Sequence, residues 1–267
     1  MSNYAYVATR ARSRRSRLLP AEAYNQLLNL EHAEIARYIQ DLEYRREIDR
    51  YGSTLSGADL IETALVDNLA KDVGDFLSFS KGKLRDILHV YAEKYRIENL
   101  KNIVRGINQN MDKQNLERLV CPINDSDKEL YNKLYDSKTV EDMISSLEGT
   151  SYYNPLKKAL EARNSDSLQP LEDALDLIYY QNLVSNQPSG GADVEVYRDF
   201  VQLKVDIANI KTLLRMRHRG IGAHDELLIG GGTLSTDLLS STQSLDDLLT
   251  SLEGSKYFEL LLSLIHI

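Results

Sequence analysis

One short apolar pattern occurs three times in this sequence at a fixed spacing, and this repeat limits the possible folds more than any other feature. Large apolar residues stand at positions 1, 4, 5 and 8 of the pattern, followed by glutamate. The three copies run from Ile35 to Glu43, from Val140 to Glu148 and from Leu245 to Glu253, so equivalent positions in successive copies are 105 residues apart. Apolar residues three and four positions apart lie on one face of an α-helix. Each copy is therefore predicted to be a helix with a stripe that must be buried.

Two further segments repeat at a spacing of 110 residues. Ile61–Leu65 corresponds to Leu171–Leu175, and Asn99–Arg105 corresponds to Asn209–Arg215. The second repeat thus carries about five more residues, which we place in a connection because loops absorb insertions and helices do not. Each complete repeat unit is predicted to hold a Leu-Glu helix, a Glu-x-Ala-Leu helix and a long Asn-(Leu/Ile)-Lys helix.

The repeats predict three related helical units. The first covers residues 1–110 and includes a basic N-terminal helix, the second covers 111–227, and 228–267 is a partial third unit. By the internal spacing, the third unit would need a long helix beyond residue 267, so we expect it to be incomplete in this sequence. Three small domains of this length differ from an α-solenoid, whose repeats run about 20 to 50 residues.

Apolar periodicity predicts the individual helices. Residues 4–17 can be helical, residues 21–49 continue at helical spacing after Pro20, and 58–79 form another helix. The two long helices are predicted at 82–106 and 194–219. No segment shows the sustained alternation that builds a sheet, so the predicted fold class is all-α.

Composition restricts the function. The formal net charge of −8 argues against general nucleic-acid binding, because the phosphate backbone favours a basic protein face. The single cysteine, Cys121, excludes an internal disulfide and a cysteine metal cage and suits a reducing compartment. The longest apolar run, Leu260–Ile267, is far shorter than the roughly 20 residues that span a bilayer, and the N-terminus has no signal-peptide core.

Few residues suggest chemistry. Gly230–Gly232 could cradle phosphate, but a P-loop needs a following Gly-Lys-Ser/Thr, and Thr233 comes next without a lysine, so a hinge between helices is the better interpretation. His218 and His224 stand six residues apart, which is neither one helical turn nor a zinc-ligand spacing. Cys121 has no evident base beside it. The sequence therefore predicts no catalytic, cofactor-binding or metal-binding residues.

The arginine-rich start of the chain is the remaining candidate for binding. Five arginines fall between residues 10 and 17 with no acidic residue among them. Nucleic acid, an acidic lipid surface and an acidic protein all attract clustered guanidinium groups. Equally, these arginines can form a solvated helix face whose stems pack over apolar neighbours.

The quoted segments resemble one known family along the whole chain. The start reads Tyr4-Ala-Tyr-Val-Ala-Thr-Arg-Ala-Arg-Ser-Arg-Arg-Ser-Arg-Leu-Leu19, and it is similar to the start of the C subunit of archaeal and bacterial A/V-type ATP synthases, a relative of the eukaryotic V-ATPase d subunit. The later blocks Leu147-Glu-Gly-Thr-Ser-Tyr152 and Asn99-Leu-Lys-Asn-Ile-Val-Arg105 resemble the same family.

This resemblance implies three helical domains around a pseudo-threefold axis, which form a funnel. It also implies a rotor subunit without an active site or cofactor. Such a subunit lies at the cytoplasmic side of the membrane as a socket between the central stalk and the membrane rotor ring, and it passes torque between proton or sodium transport and ATP synthesis. Torque passes only through a stiff socket, so a charge at Leu100 or Ile210 is expected to uncouple ATP hydrolysis from ion pumping or to prevent assembly.

Two other functions remain open from the residues alone. A helical-repeat adaptor with an unrelated protein partner would have the same composition and the same lack of chemistry. A small-molecule enzyme would need a polar pocket lined by acidic residues and His218 or His224, with strongly shifted pKa values.

Overall fold

The computed structural model of the protein describes residues 2–163, 167–187, 192–218 and 225–265, and all regular structure in these residues is helical. The predicted all-α class is confirmed. The chain divides into two packing units, Met1–Leu160 and Glu161–Ile267. These units are offset from the sequence repeats, and the division into repeat units of 1–110, 111–227 and 228–267 stays a prediction.

The first packing unit contains the first two copies of the Leu-Glu pattern. Its described helices are α1 Tyr4–Arg15, α2 Ala21–Leu27, α3 His32–Gln40, α4 Arg45–Tyr51, α5 Gly57–Phe79, α6 Lys83–Asn108, α7 Lys113–Arg118, α8 Asp125–Leu134, α9 Val140–Ser145 and α10 Tyr153–Glu161.

The second packing unit begins with the other long helices and ends with the third copy of the pattern. Its described helices are α11 Gln169–Ser185, α12 Ala192–His218, a 3₁₀ turn Asp225–Leu227, α13 Thr236–Ser241, α14 Leu245–Ser251 and α15 Phe258–Ile265.

The long helices follow the apolar periodicity that predicts them. In α6 the buried side chains Ile97, Leu100, Val104 and Ile107 recur every three or four residues. Leu100 and Ile210, at which an added charge is expected to be harmful, are both buried, with Ile210 on α12. The predicted helices 58–79, 82–106 and 194–219 correspond to α5, α6 and α12, although Arg219 itself lies outside the described residues.

The prediction of one helix across residues 21–49 is wrong, because the chain forms α2, α3 and α4 there. The Glu31 side chain caps the start of α3, and the Glu31 backbone N–H donates to the Glu34 carboxylate at 3.0 Å. This reciprocal capping box starts a new helix. The apolar spacing continues across the break, so the sequence pattern does not reveal it.

Repeated polar residues define the ends of the Leu-Glu helices. Thr139 and Ser244 cap α9 and α14, each accepting a backbone N–H three residues later at 3.0 Å. Gly149 and Gly254 follow these helices with φ values of 86° and 77°, in the left-handed region that favours glycine. The first copy has Tyr44 at this position, with φ of −93°, and continues directly into α4.

Candidate functional site: two buried polar joints

The candidate site is built from polar side chains that are buried along the two long helices α6 and α12. Asn99 lies on α6, and both Asp206 and Asn209 lie on α12. Asp206 and Asn209 have no exposed surface. Burying a polar group without a partner costs about 1–3 kcal/mol, so each of these side chains must be matched by hydrogen bonds.

The two asparagines make the same backbone clamp. The Asn99 Nδ2 donates to the Cys121 carbonyl at 2.9 Å, and its Oδ1 accepts the Cys121 N–H at 3.3 Å. The Asn209 Nδ2 donates to the Ile229 carbonyl at 2.8 Å, and its Oδ1 accepts the Ile229 N–H at 2.8 Å. Each amide therefore pairs with both backbone groups of one residue and fastens the segment after the long helix to that helix.

We use the word joint for a cluster of buried polar contacts on a long helix. The second joint along the chain is centred on Asp206 and consists of Asp206, Asn209, Ile229, Thr233 and Tyr257. Its carboxylate accepts the Thr233 N–H at 2.9 Å and the Leu234 N–H at 3.1 Å. It also accepts the Thr233 hydroxyl at 2.5 Å and the Tyr257 hydroxyl at 2.7 Å. Four donors thus replace the water that this carboxylate loses on burial.

The glycine-rich loop is shaped around this carboxylate. A Cβ atom on Gly232 would overlap the Asp206 Oδ1, so no larger residue fits there without movement. The loop residues Gly230–Gly232 lie between the 3₁₀ turn and α13, and their role as a hinge stays a prediction. The backbone N–H groups that follow the glycines donate to Asp206 in the same packing unit.

The first joint consists of Glu93, Arg96, Asn99, Asp127 and Tyr152. The Arg96 Nε donates to the buried Asp127 carboxylate at 2.8 Å, and the Arg96 guanidinium contacts Glu93 at 3.1 Å. The Tyr152 hydroxyl donates to the Glu93 carboxylate. This joint ties α6 to α8 and to the turn before α10, all within the first packing unit.

The joints share a framework but differ in charge. Tyr152 and Tyr257 are the tyrosines of the repeated Leu-Glu-Gly-x-x-Tyr block, 105 residues apart, and both donate to a carboxylate on the preceding long helix. Arg96 and Asp206 occupy equivalent positions, 110 residues apart, with opposite charge. The first joint balances an arginine with carboxylates, whereas the second binds its carboxylate with neutral donors.

Burial shifts the acid–base chemistry of these groups. The pKa values of Tyr152 and Tyr257 are raised, first by loss of solvent and then by the neighbouring Glu93 and Asp206 carboxylates. Burial alone would lower the pKa of Arg96, but the charges of Glu93 and Asp127 raise it. Both tyrosines therefore keep their protons and Arg96 its charge at neutral pH.

The described histidines, His32, His89 and His218, are exposed, while His224 and His266 lie outside the described residues. The Cys121 thiol donates to the Val66 carbonyl at 3.4 Å. Within the described ranges, no group of three or more His, Cys, Asp or Glu side chains is placed to hold a metal ion.

The N-terminal arginines pack largely against their own unit. Arg14 bridges Asp72 at 2.8 Å and Asp75 at 2.6 Å on α5, and Arg17 pairs with Glu43. The Arg10 guanidinium lies 5.4 Å from the centre of the Phe79 ring. Arg14 and Arg17 are thus paired with carboxylates of their own unit, Arg10 lies over an aromatic ring, and a binding role for the arginine-rich start stays a prediction.

The sequence reveals the repeated blocks but not the joints inside them. Asn99, Asn209, Tyr152 and Tyr257 all carry a signal, because each recurs at the repeat spacing. Asp206 carries no such signal, because the residue 110 positions earlier is Arg96 rather than an acidic residue. No described helix is long and apolar enough to cross a membrane.

Comparison with known proteins supports the family resemblance of the repeated sequence blocks. The sequence profile of the family described as ATP synthase (C/AC39) subunit matches residues 7–266. The chain is 34% identical over 260 residues to the C subunit of the A-type ATP synthase of Haloferax volcanii, covering 96% of this chain and 74% of that protein. The corresponding protein of Archaeoglobus fulgidus is 33% identical over 257 residues, with 94% and 73% covered. That of Methanosarcina acetivorans is 32% identical over 263 residues, with 97% and 72% covered.

Proposed function

Because this chain belongs to the ATP synthase (C/AC39) subunit family, we propose that it is the non-catalytic rotor subunit of an A-type ATP synthase. In this role it links the central stalk to the membrane rotor ring and transmits torque between proton or sodium transport and ATP synthesis. Its place is at the cytoplasmic side of the membrane, where it associates peripherally through the ring.

The observation that supports this role is the pair of buried polar joints. Torque passes through a protein only if its helices do not slide past the segments that follow them. A slide of α12 against its loop would separate Asp206 from Thr233 and Tyr257 and leave a buried carboxylate unpaired. Such a displacement costs several kcal/mol, so each joint resists shear.

The joints also fix directions that the packing of apolar side chains leaves open. Hydrogen bonds fix direction as well as distance. The Asn99 and Asn209 clamps therefore set the register of each long helix against the following segment.

The test is binding to both proposed partners. The chain is immobilised and exposed separately to purified central-stalk subunits and to detergent-solubilised rotor ring from the same organism. We expect both to be retained, and an unrelated acidic helical protein on the same support to retain neither. A folded chain, with its helical circular dichroism intact, that retains neither partner would contradict the proposal.

A further inference from the structure

The positive charge of this chain is concentrated at its N-terminus. Residues 1–21 hold five arginines and no acidic residue, whereas the other 246 residues hold 27 basic and 40 acidic side chains. At physiological salt the Debye length is about 8 Å, so distant charges are largely screened and the immediate surroundings decide what the N-terminal helix α1 attracts.

One side of α1 is packed on α5. Val7 on this side is buried, and the Asn3 Nδ2 donates to the Phe79 carbonyl at 2.8 Å. Arg14 bridges two carboxylates of α5, of which Asp72 lies at 2.8 Å. These contacts fix which side of α1 faces inward, and they neutralise the carboxylates beneath it.

The other side of α1 carries one line of exposed residues. Tyr4, Ala8, Arg12 and Arg15 follow one another at steps of four, four and three, which places them on the same helix face. All four are exposed, with Tyr4 at 39%. We call these four residues the α1 stripe.

The two arginines of the α1 stripe are not used by the fold. Within the described residues, neither the Arg12 nor the Arg15 guanidinium has an ion pair, a hydrogen bond or an aromatic ring as partner, in contrast to Arg14 and Arg17. An anion that meets the stripe therefore gains two positive charges without breaking an existing ion pair. Because the stripe is charged and solvated, it needs no cover to be stable.

The residue types of the α1 stripe favour an anionic lipid surface over a macromolecule. The stripe has no aliphatic side chain larger than Ala8, so the apolar face of a protein helix would bury little there. Duplex nucleic acid takes its affinity from many phosphate contacts, and the stripe offers two arginines. A layer of anionic headgroups attracts each basic residue near its surface, and tyrosine is enriched at that depth.

We propose that the α1 stripe binds the headgroups of anionic phospholipids, with Arg12 and Arg15 on phosphate groups and Tyr4 at the level of the headgroups. The small Ala8 lets the helix lie flat along the membrane surface. This contact goes beyond the proposed function, in which the chain reaches the membrane through the rotor ring, because it needs neither ring nor stalk.

The test uses vesicles that contain no protein. The chain is sedimented with vesicles of equal parts phosphatidylglycerol and phosphatidylcholine and, separately, with vesicles of phosphatidylcholine alone. We expect binding to the anionic vesicles to be at least about tenfold tighter, since each basic residue near such a surface adds about fivefold. At about 1 M salt the Debye length is about 3 Å, so this difference should disappear.

Two double variants assign the binding to α1. Arg12→Gln with Arg15→Gln should weaken binding to the anionic vesicles about tenfold or more. Arg118→Gln with Lys133→Gln removes the same charge from exposed positions on α7 and α8 of the same packing unit, and should change binding less than about threefold. Circular dichroism and thermal denaturation check that both variants fold.

Three results would overturn the inference. They are equal binding to both kinds of vesicle, equal losses in the two double variants, and a chain that ignores anionic vesicles but binds a soluble poly-glutamate peptide through Arg12 and Arg15. The last result would assign the stripe to an acidic protein. Binding to purified stalk and rotor ring is measured in parallel, so a failure with vesicles is distinguished from a failure of the proposed function.

Discussion

At the scale of single residues, the structure depends on a few buried polar atoms that form hydrogen bonds within the protein. Asp206 receives four donors, and Asn99 and Asn209 each match both backbone groups of one residue. Since unmatched buried groups are costly, removal of one partner should have a larger effect than the same change elsewhere.

Tyr257→Phe removes one donor from the buried Asp206 carboxylate. We expect it to lower the free energy of unfolding by about 1.5–3 kcal/mol, the usual contribution of a hydrogen bond to a charged group. Tyr197→Phe is the matched control, because the Tyr197 hydroxyl is buried without a hydrogen-bond partner in the described part of the chain. Urea denaturation of both variants checks this, and equal losses of stability would contradict it.

Gly232→Ala tests the close approach of the loop to Asp206. The added methyl group would meet the Asp206 carboxylate, so we expect a loss of about 2 kcal/mol or more from the displaced loop and its hydrogen bonds. Gly230→Ala is the control, since a methyl group there meets no atom within 4 Å. Thermal denaturation of the pair gives the comparison, and a Gly232→Ala midpoint equal to that of Gly230→Ala would contradict it.

The Cys121 thiol should be unreactive in the folded protein. Burial, followed by the charge of Asp67, raises its pKa from 9.0 to about 12. Because the folded state favours the neutral thiol, the associated stability is present below pH 9 and is lost as the pH rises toward 12. We expect alkylation by iodoacetamide at pH 8.5 to be at least about a hundredfold slower in the folded chain than in urea. Similar rates in both states would contradict this.

At the scale of helices and loops, periodicity predicts the long elements and fails at the short ones. α5, α6 and α12 each run for more than six turns with apolar residues at helical spacing, so the sequence alone locates them. The break between α2 and α3 depends on the Glu31–Glu34 capping box, which the continuing apolar spacing hides. Joint partners such as Asp127 and Thr233 come from separate loops and helices, and their pairing depends on tertiary packing.

Asn209→Ala tests the clamp between α12 and the following segment. It removes the partners of both backbone groups of Ile229, which are buried, so we expect a loss of about 2–4 kcal/mol. Asn186→Ala, at an exposed helix end, is expected to cost less than about 1 kcal/mol. Hydrogen exchange adds a local measurement, in which the Ile229 amide should exchange faster in Asn209→Ala only. Unchanged protection of that amide would show that the clamp does not hold the segment.

At the scale of the whole molecule, each packing unit contains one complete joint. Glu93, Arg96 and Tyr152 lie within Met1–Leu160, and Asp206 and Tyr257 lie within Glu161–Ile267. Each unit can thus resist deformation by its own interactions. The proposed torque-transmitting role needs this property in every part of the protein that carries the load.

The most direct test of the central claim is ion transport driven by ATP hydrolysis in vesicles that hold the ATP synthase reconstituted with or without this chain. With the chain, we predict that hydrolysis drives ion uptake and that blocking the rotor ring stops both activities. Without it, hydrolysis should continue while ion uptake falls to the background level. Equal ion uptake per ATP in the two preparations would contradict a torque-transmitting role.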